Sequence, residues 1–81
     1  MEKGCDILTE DIKVLFGQNL RKIRIEKNIS QEELAFRSGL HRTYVSSVER
    51  GERNISLENI EKLARALEIP TKDLIPKEKS S

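Results

Sequence analysis

The stretch SQEELAFRSGLHRTYVSSVERGERNIS, residues 30–56, constrains the fold more than any other feature of the chain. Ser30 with Glu33 three residues later is a capping box, which marks the start of a helix. Gly39 stands about two turns further on, where the end of a helix favours a residue of positive φ. A second short amphipathic run then ends at Gly51. The segment therefore predicts two short helices joined by a sharp turn.

Apolar residues at three- and four-residue intervals predict further amphipathic helices on both sides of this pair. The first helix is expected to follow Thr9 as its N-cap, with Glu10 and Asp11 in its first turn and its end near Asn28. The other helices are expected over residues 31–38, 42–50 and 57–67, followed by a short turn over 72–75 that Thr71 caps and that lays Leu74 and Ile75 on the core.

These elements predict an all-α, compact five-helix domain over residues 10–76, with the two-helix segment at about 31–50. Residues 1–9 are expected to form a mobile N-terminal segment, and residues 77–81 a polar tail.

Length and composition exclude several classes of protein. With 81 residues, 36% hydrophobic and 36% charged, the chain suits one soluble helical domain without a large active-site cleft. No apolar run approaches the ~20 residues of a membrane span, and the start MEKGCD is unlike a signal peptide, so we expect a cytoplasmic protein with no membrane partner. Cys5 and His41 are the only cysteine and histidine. The sequence shows no metal site, phosphate loop or nucleophile motif, so we expect neither an enzyme nor a cofactor.

Charge is distributed unevenly along the chain. Residues 12–54 carry nine Lys or Arg against five Asp or Glu, a net charge of +4, and the rest of the chain is −3, because the total is +1. This segregation favours a basic surface that meets phosphates, with a solvated charged surface as the alternative.

The helix predicted over residues 42–50 gathers one kind of side chain on one side. At ~100° per residue, five positions fall within roughly 140° of arc: Arg42, Thr43, Ser46, Ser47 and Arg50. A helix-turn-helix can place such a second helix in the major groove of DNA, where arginine bonds guanine and short hydroxyls bond several bases. The alternative is an ordinary solvated face, since serine pairs and helix-start arginines also occur there.

Several motifs carry a resemblance to a known family. SQEELAFRSGL, followed by RTYVSSVERGERNISLENIEKLARALEIP, is similar to the lambda-repressor and Cro type of helix-turn-helix regulator, also called Xre-type, over residues 12–75. The version LHRTYVSSVERGERNISL most resembles the controller proteins of restriction-modification systems. That resemblance implies a homodimer that binds a palindromic operator in double-stranded DNA and acts as activator and repressor. RNA polymerase is a further candidate partner.

The resemblance also assigns roles to single residues. It implies base contacts from Arg42, Thr43, Ser46 and Ser47, and backbone or loop contacts from Gln31, Tyr44, Arg50, Arg53 and Asn54. It further implies a structural salt bridge between Arg24 and Glu49. Arg42 and Thr43 stand where phage repressors often carry glutamines, so the operator sequence cannot be taken from those relatives.

A dimer is expected because one recognition helix covers only a few base pairs, and two half-sites about one turn apart, ~34 Å, suit a two-fold dimer. Candidate interface residues are Ile69, Leu74 and Ile75, which can equally close the core of the monomer. The alternative function is an antitoxin or a protein-interaction adaptor that uses the same fold.

Overall fold

A computed structural model describes residues 11–76, which contain four α-helices and one turn of 3-10 helix, with no strand in that range. The helices are α1 (Ile12–Glu26), α2 (Gln31–Ser38), α3 (Arg42–Glu49) and α4 (Leu57–Leu67), and the C-terminal turn is Thr71–Asp73. The all-α architecture and the helix-turn-helix of α2 and α3 match the sequence expectation. The expected N-terminal segment and polar tail lie outside the described residues. Within residues 11–76, no helix is long and apolar enough to cross a membrane.

The expected fifth helix is a single 3-10 turn, so the five-helix prediction is not confirmed. Pro70 occupies the position before the turn, and Thr71 lies inside it rather than capping it. Thr71 therefore has no capping role in this part of the structure. Proline fixes the entry of the chain into the turn because its φ is locked near −65°, the value it adopts here.

The start of α1 also differs from the prediction. Asp11 is the N-cap, and its Oδ1 accepts a hydrogen bond of 2.9 Å from the backbone N–H of Lys13. This bond lowers the pKa of the Asp11 carboxyl. The helix therefore begins at Ile12, and Thr9 and Glu10 precede the described residues.

Side-chain caps begin α2 and α4 where the sequence predicts them. Ser30 Oγ accepts from the Glu33 N–H at 3.0 Å, and Ser56 Oγ accepts from the Asn59 N–H at 3.1 Å. The Glu33 carboxylate pairs with Arg37 at 2.8 Å, one turn further along α2. Local hydrogen bonds thus fix both helix starts, as the serine positions indicate.

The core lies between the helices and is sealed at one end by the C-terminal turn. Its fully buried side chains are Leu20, Leu34, Val45, Val48, Leu63, Leu67 and Leu74. Asn19 on α1 donates from Nδ2 to the carbonyl oxygens of Asp73 and Leu74, both at 2.9 Å. Leu74 is 0% exposed. The expectation that Leu74 forms a dimer interface is therefore wrong for this fold, because its side chain is completely buried in the core of the monomer.

Two glycines bring α1 against the end of α3. A Cβ on Gly17 would collide with the backbone carbonyl oxygens of Val48 and Glu49, so α1 and α3 pack too closely there to leave room for a methyl group. Gly51 has φ +78° and a Cβ there would lie 2.8 Å from Val14 Cγ2. Gly39 has a similar φ of +76° but open space around it. The position of α3 is therefore set by direct contact with α1.

Candidate nucleic-acid interface

The outward side of α3 presents hydrogen-bond donors and a positive charge to solvent. Arg42, Thr43 and Arg50 are exposed and Ser46 is half-buried, whereas Val45 and Val48 are buried on the opposite side. These four polar residues form one continuous surface, which we name the α3 face. Four of the five residues predicted for this arc are thus brought together.

Ser47 does not belong to the α3 face, and this corrects the prediction that it contacts bases. It is 7% exposed, and its Oγ donates to the backbone oxygens of Thr43 and Tyr44, both at 3.0 Å. The residue lies at the far end of the 140° arc, where α3 turns toward its neighbours. A hydroxyl there bonds the preceding helical turn instead of reaching outward.

Arg50 connects the end of α3 to the loop that follows. Its Nε and Nη2 donate to the two carboxylate oxygens of Glu52 at 3.0 and 3.1 Å, and its Nη1 donates to Ser46 Oγ at 2.6 Å. The hydrogen bonding between Arg50 and Glu52 raises the pKa of Arg50 and lowers the pKa of Glu52. The guanidinium is therefore held on two sides.

Tyr44 connects α3 to α4 and to the loop. Its hydroxyl accepts from Asn59 Nδ2 at 3.0 Å, and the guanidinium carbon of Arg53 lies 5.3 Å from its ring centroid. That distance suits a cation–π contact. Arg53 and Asn54 are both exposed in the loop. The role of Asn59 was missed from sequence, because an asparagine inside the first turn of a helix gives no signal for a partner fifteen residues earlier.

Beneath the α3 face lies a buried ion pair. Arg24 on α1 and Glu49 on α3 are 9% and 8% exposed, and Arg24 donates to both Glu49 oxygens, at 2.6 Å from Nε and 3.1 Å from Nη2. Arg24 Nη1 also donates to the carbonyl of Ile29 at 2.8 Å. Gln31, at the start of α2, donates from Nε2 to Glu49 Oε1 at 3.0 Å. The salt bridge implied by the resemblance is thus present, and it ties three helices together.

Within residues 11–76, no three His, Cys, Asp or Glu side chains are grouped so that they could hold a metal ion. The α3 face combines arginine and short hydroxyls on a helix that follows a glycine turn, and the loop after it adds an arginine and an asparagine. This arrangement defines a helix-turn-helix domain in which α3 is the second helix.

Comparisons with known proteins agree with that class. The family model described as Helix-turn-helix matches residues 20–74, and the chain belongs to that family. The chain is 56% identical to the control protein C.BamHI of Bacillus amyloliquefaciens over 69 residues, which cover 84% of this chain and 85% of that protein. The resemblance to restriction-modification controller proteins is therefore confirmed.

Solved structures of restriction-modification controller proteins also match this chain. The restriction-modification controller protein C.AhdI from Aeromonas hydrophila matches with a TM-score of 0.76 and 60% identity, over 76% of this chain and 94% of that one. The controller protein C.Esp1396I, solved as a tetramer with its natural 35-base-pair operator, matches with a TM-score of 0.75 and 33% identity, over 82% and 87%.

Proposed function

We propose that this protein is a sequence-specific DNA-binding transcription regulator that binds a palindromic operator as a homodimer. It controls its own and neighbouring genes, as activator and repressor, in a restriction-modification system. The observation that carries the proposal is the α3 face, an arginine and hydroxyl surface on a helix held rigidly against α1. The similarity to the controller proteins C.BamHI, C.AhdI and C.Esp1396I supports the proposal. A cytoplasmic location and contact with RNA polymerase belong to the same proposal.

We assign base reading to Arg42, Thr43 and Ser46. An arginine at the start of a recognition helix can make paired bonds to guanine O6 and N7, and the two hydroxyls can bond a neighbouring base or contact a thymine methyl. All three side chains lie on the α3 face, where Arg42 and Thr43 are exposed and Ser46 is half-buried with its Oγ accepting a hydrogen bond from Arg50. Ser47 is left out of the set because its hydroxyl is already bonded to the helix backbone.

Contacts to the DNA backbone are assigned to a wider rim. These residues are Gln31, Tyr44, Arg50, Arg53 and Asn54. Backbone contacts set the register of the protein on the duplex and carry no sequence information directly. The amide of Gln31 is oriented by Glu49, and the ring of Tyr44 orients Arg53, so both contacts start from a defined geometry.

The dimer surface is proposed around Ile75 rather than Leu74. Ile75 is exposed and lines an apolar groove with Ile12, Phe16, Ile55 and Ile60. Exposed apolar area of this kind favours burial against a second apolar surface. Ile69 is half-buried, packs against the core and does not line this groove. The groove is bordered by Arg53 and Asn54, so a second copy seated there would stand close to the loop that contacts DNA.

The test of the proposed function is a titration of the full chain against duplex DNA from upstream of its own gene and against a scrambled duplex, at two salt concentrations. Cooperative binding that survives the higher salt only on the upstream duplex supports the proposal. Equal, salt-sensitive binding to both duplexes contradicts sequence-specific recognition at that site. Absence of binding to any DNA contradicts the DNA-binding role and favours a protein partner.

Two substitutions separate the two kinds of contact. Arg42→Ala is expected to cost about 1–3 kcal/mol and to relax preference at one base pair, whereas Arg53→Ala is expected to weaken all sequences alike and to reduce the salt slope. Arg65→Ala on α4 is the matched control, because it removes an exposed arginine outside the proposed interface. Equal behaviour of the first two variants across a panel of altered operators contradicts the division.

The dimer surface has its own test. Ile75→Glu is expected to shift the protein toward monomer in sedimentation while helix content stays unchanged, because the side chain is exposed in the monomer. Leu74→Glu is expected to unfold the domain, because a carboxylate would enter the core. An Ile75→Glu variant that remains a dimer places the interface elsewhere.

A further inference from the structure

The guanidinium of Arg50 is already paired with the Glu52 carboxylate, whose two oxygens resemble two oxygens of a phosphate group. Both oxygens of the Glu52 carboxylate lie within hydrogen-bond distance of its Nε and Nη2, in the paired geometry that arginine also uses for phosphate. Its remaining edge donates to Ser46. Paired bonds from Nε and Nη2 to a DNA phosphate therefore require that Glu52 leave first.

Hydrogen bonds to the end of α3 hold the backbone of Glu52 in place. The Gly51 N–H donates to the carbonyl of Val48 and the Glu52 N–H donates to the carbonyl of Ser47, both at 3.0 Å. With Gly51 at φ +78°, these two bonds form a Schellman motif. The backbone of Glu52 is thus anchored two residues from Arg50, at the edge of the α3 face.

From this geometry we propose that Glu52 competes internally with DNA phosphate for Arg50 and so lowers the sequence-independent affinity of the protein for DNA. The inference rests on the proposed function, in which Arg50 contacts the backbone. While the pair is closed, the charge of Arg50 is neutralised and Ser46 is occupied. When a phosphate replaces Glu52, the pair opens and the Arg50 guanidinium can turn away from Ser46, which becomes available to a base.

Glu52 is expected to weaken DNA binding whether its pair with Arg50 opens or stays closed. If the pair opens, DNA binding includes the loss of two hydrogen bonds within the protein. If it stays closed, a carboxylate stands beside the phosphates and repels them. Glu52→Gln removes the charge but keeps the size of the side chain, so it is expected to increase affinity for any duplex.

The experiment compares Glu52→Gln with Glu61→Gln in the full chain. Glu61 is the matched control because its side chain is 58% exposed, close to the 56% of Glu52, and it also pairs with an arginine, Arg65 on α4. Its replacement by Gln changes the net charge by the same amount. Affinities are measured on the upstream duplex and the scrambled duplex over a series of salt concentrations.

Glu52→Gln is expected to tighten binding to both duplexes by about two- to fivefold per protomer, the range that an exposed ion pair supplies. The slope of log K against log salt is expected to change little, because Arg50 contacts a phosphate in both complexes. Glu61→Gln is expected to leave the affinity for both duplexes nearly unchanged. If the two variants behave alike, the inference is overturned.

A second comparison tests whether Glu52 acts through Arg50. In an Arg50→Ala background, Glu52→Gln is expected to give no more affinity than Glu61→Gln, because the guanidinium for which Glu52 competes is gone. If the gain persists in that background, Glu52 acts by direct repulsion and the competition is refuted. Failure of the unmodified protein to bind either duplex contradicts the proposed function itself, an outcome distinct from equal binding by the two glutamine variants.

Discussion

The loss of the Glu49 carboxylate is expected to destabilise the domain severely. In Glu49→Ala, Arg24 stays buried and charged, and of its bonds in the wild-type protein only the one to the carbonyl of Ile29, 2.8 Å long, remains. Gln31 loses its acceptor as well. The variant therefore removes one partner of a buried ion pair and leaves the other without compensation.

The magnitude follows from burial. Breaking a buried pair by removing one partner costs about 3–5 kcal/mol. A domain of 81 residues has a total stability of about 4–12 kcal/mol at the usual value per residue. Glu49→Ala is therefore expected to remove about a quarter or more of the free energy of unfolding. Glu49→Gln keeps one oxygen as an acceptor and is expected to cost less, about 1–3 kcal/mol.

The assay is urea unfolding followed by far-ultraviolet circular dichroism, with the double variant Arg24→Met/Glu49→Leu as the control. Replacing both partners by apolar groups removes the desolvation penalty together with the attraction, so the double variant is expected to recover most of the stability. A loss below about 1 kcal/mol in Glu49→Ala, or a double variant as unstable as the single one, would refute the reasoning.

Four further substitutions test the backbone and the N-cap. Gly17→Ala is expected to cost about 1–3 kcal/mol or more in thermal unfolding, because its methyl group forces α1 away from the carbonyls of α3. Gly39→Ala is expected to cost about 1–2 kcal/mol from its positive φ alone, whereas Gly51→Ala adds a steric clash and costs at least about 1 kcal/mol more; equal losses would contradict the contact. Asp11→Asn keeps an acceptor but removes the charge whose pKa is lowered by folding. The stabilisation from that charge is present at neutral pH and is lost as pH falls through the lowered pKa. The melting temperatures of variant and wild type are therefore expected to differ at pH 7 and to converge in acid once the Asp11 carboxyl is protonated in the folded protein; a difference that persists there would exclude the charge as its cause.

Helix bounds were predictable wherever a single local signal fixed them. Ser30 and Ser56 are cap candidates directly before amphipathic runs, and α2 and α4 begin one residue after them. The start of α1 was not predictable in the same way, because Thr9 and Asp11, two residues apart, can each cap a helix. Local propensity cannot choose among neighbours of similar capping strength.

The site was predictable in outline and not in its boundaries. The arc on α3 correctly gathers Arg42 and Ser46, but it cannot show that Ser47 is covered by neighbouring elements, because that depends on how α3 packs. Leu74 presents the same difficulty, since the burial of its side chain depends on how the C-terminal turn packs on the core, against residues far earlier in the chain. Pairing of Arg50 with Glu52 depends on the turn geometry at the end of α3, which sequence patterns leave open.

The position of Tyr44 has a spectroscopic consequence. The chain contains one tyrosine and no tryptophan, so its near-ultraviolet emission comes essentially from this one ring. That ring is bonded by Asn59 at its hydroxyl and faces the guanidinium of Arg53. The unlabelled protein therefore carries a single intrinsic fluorophore at the edge of its recognition helix, and its emission reports directly on the geometry of the loop that follows.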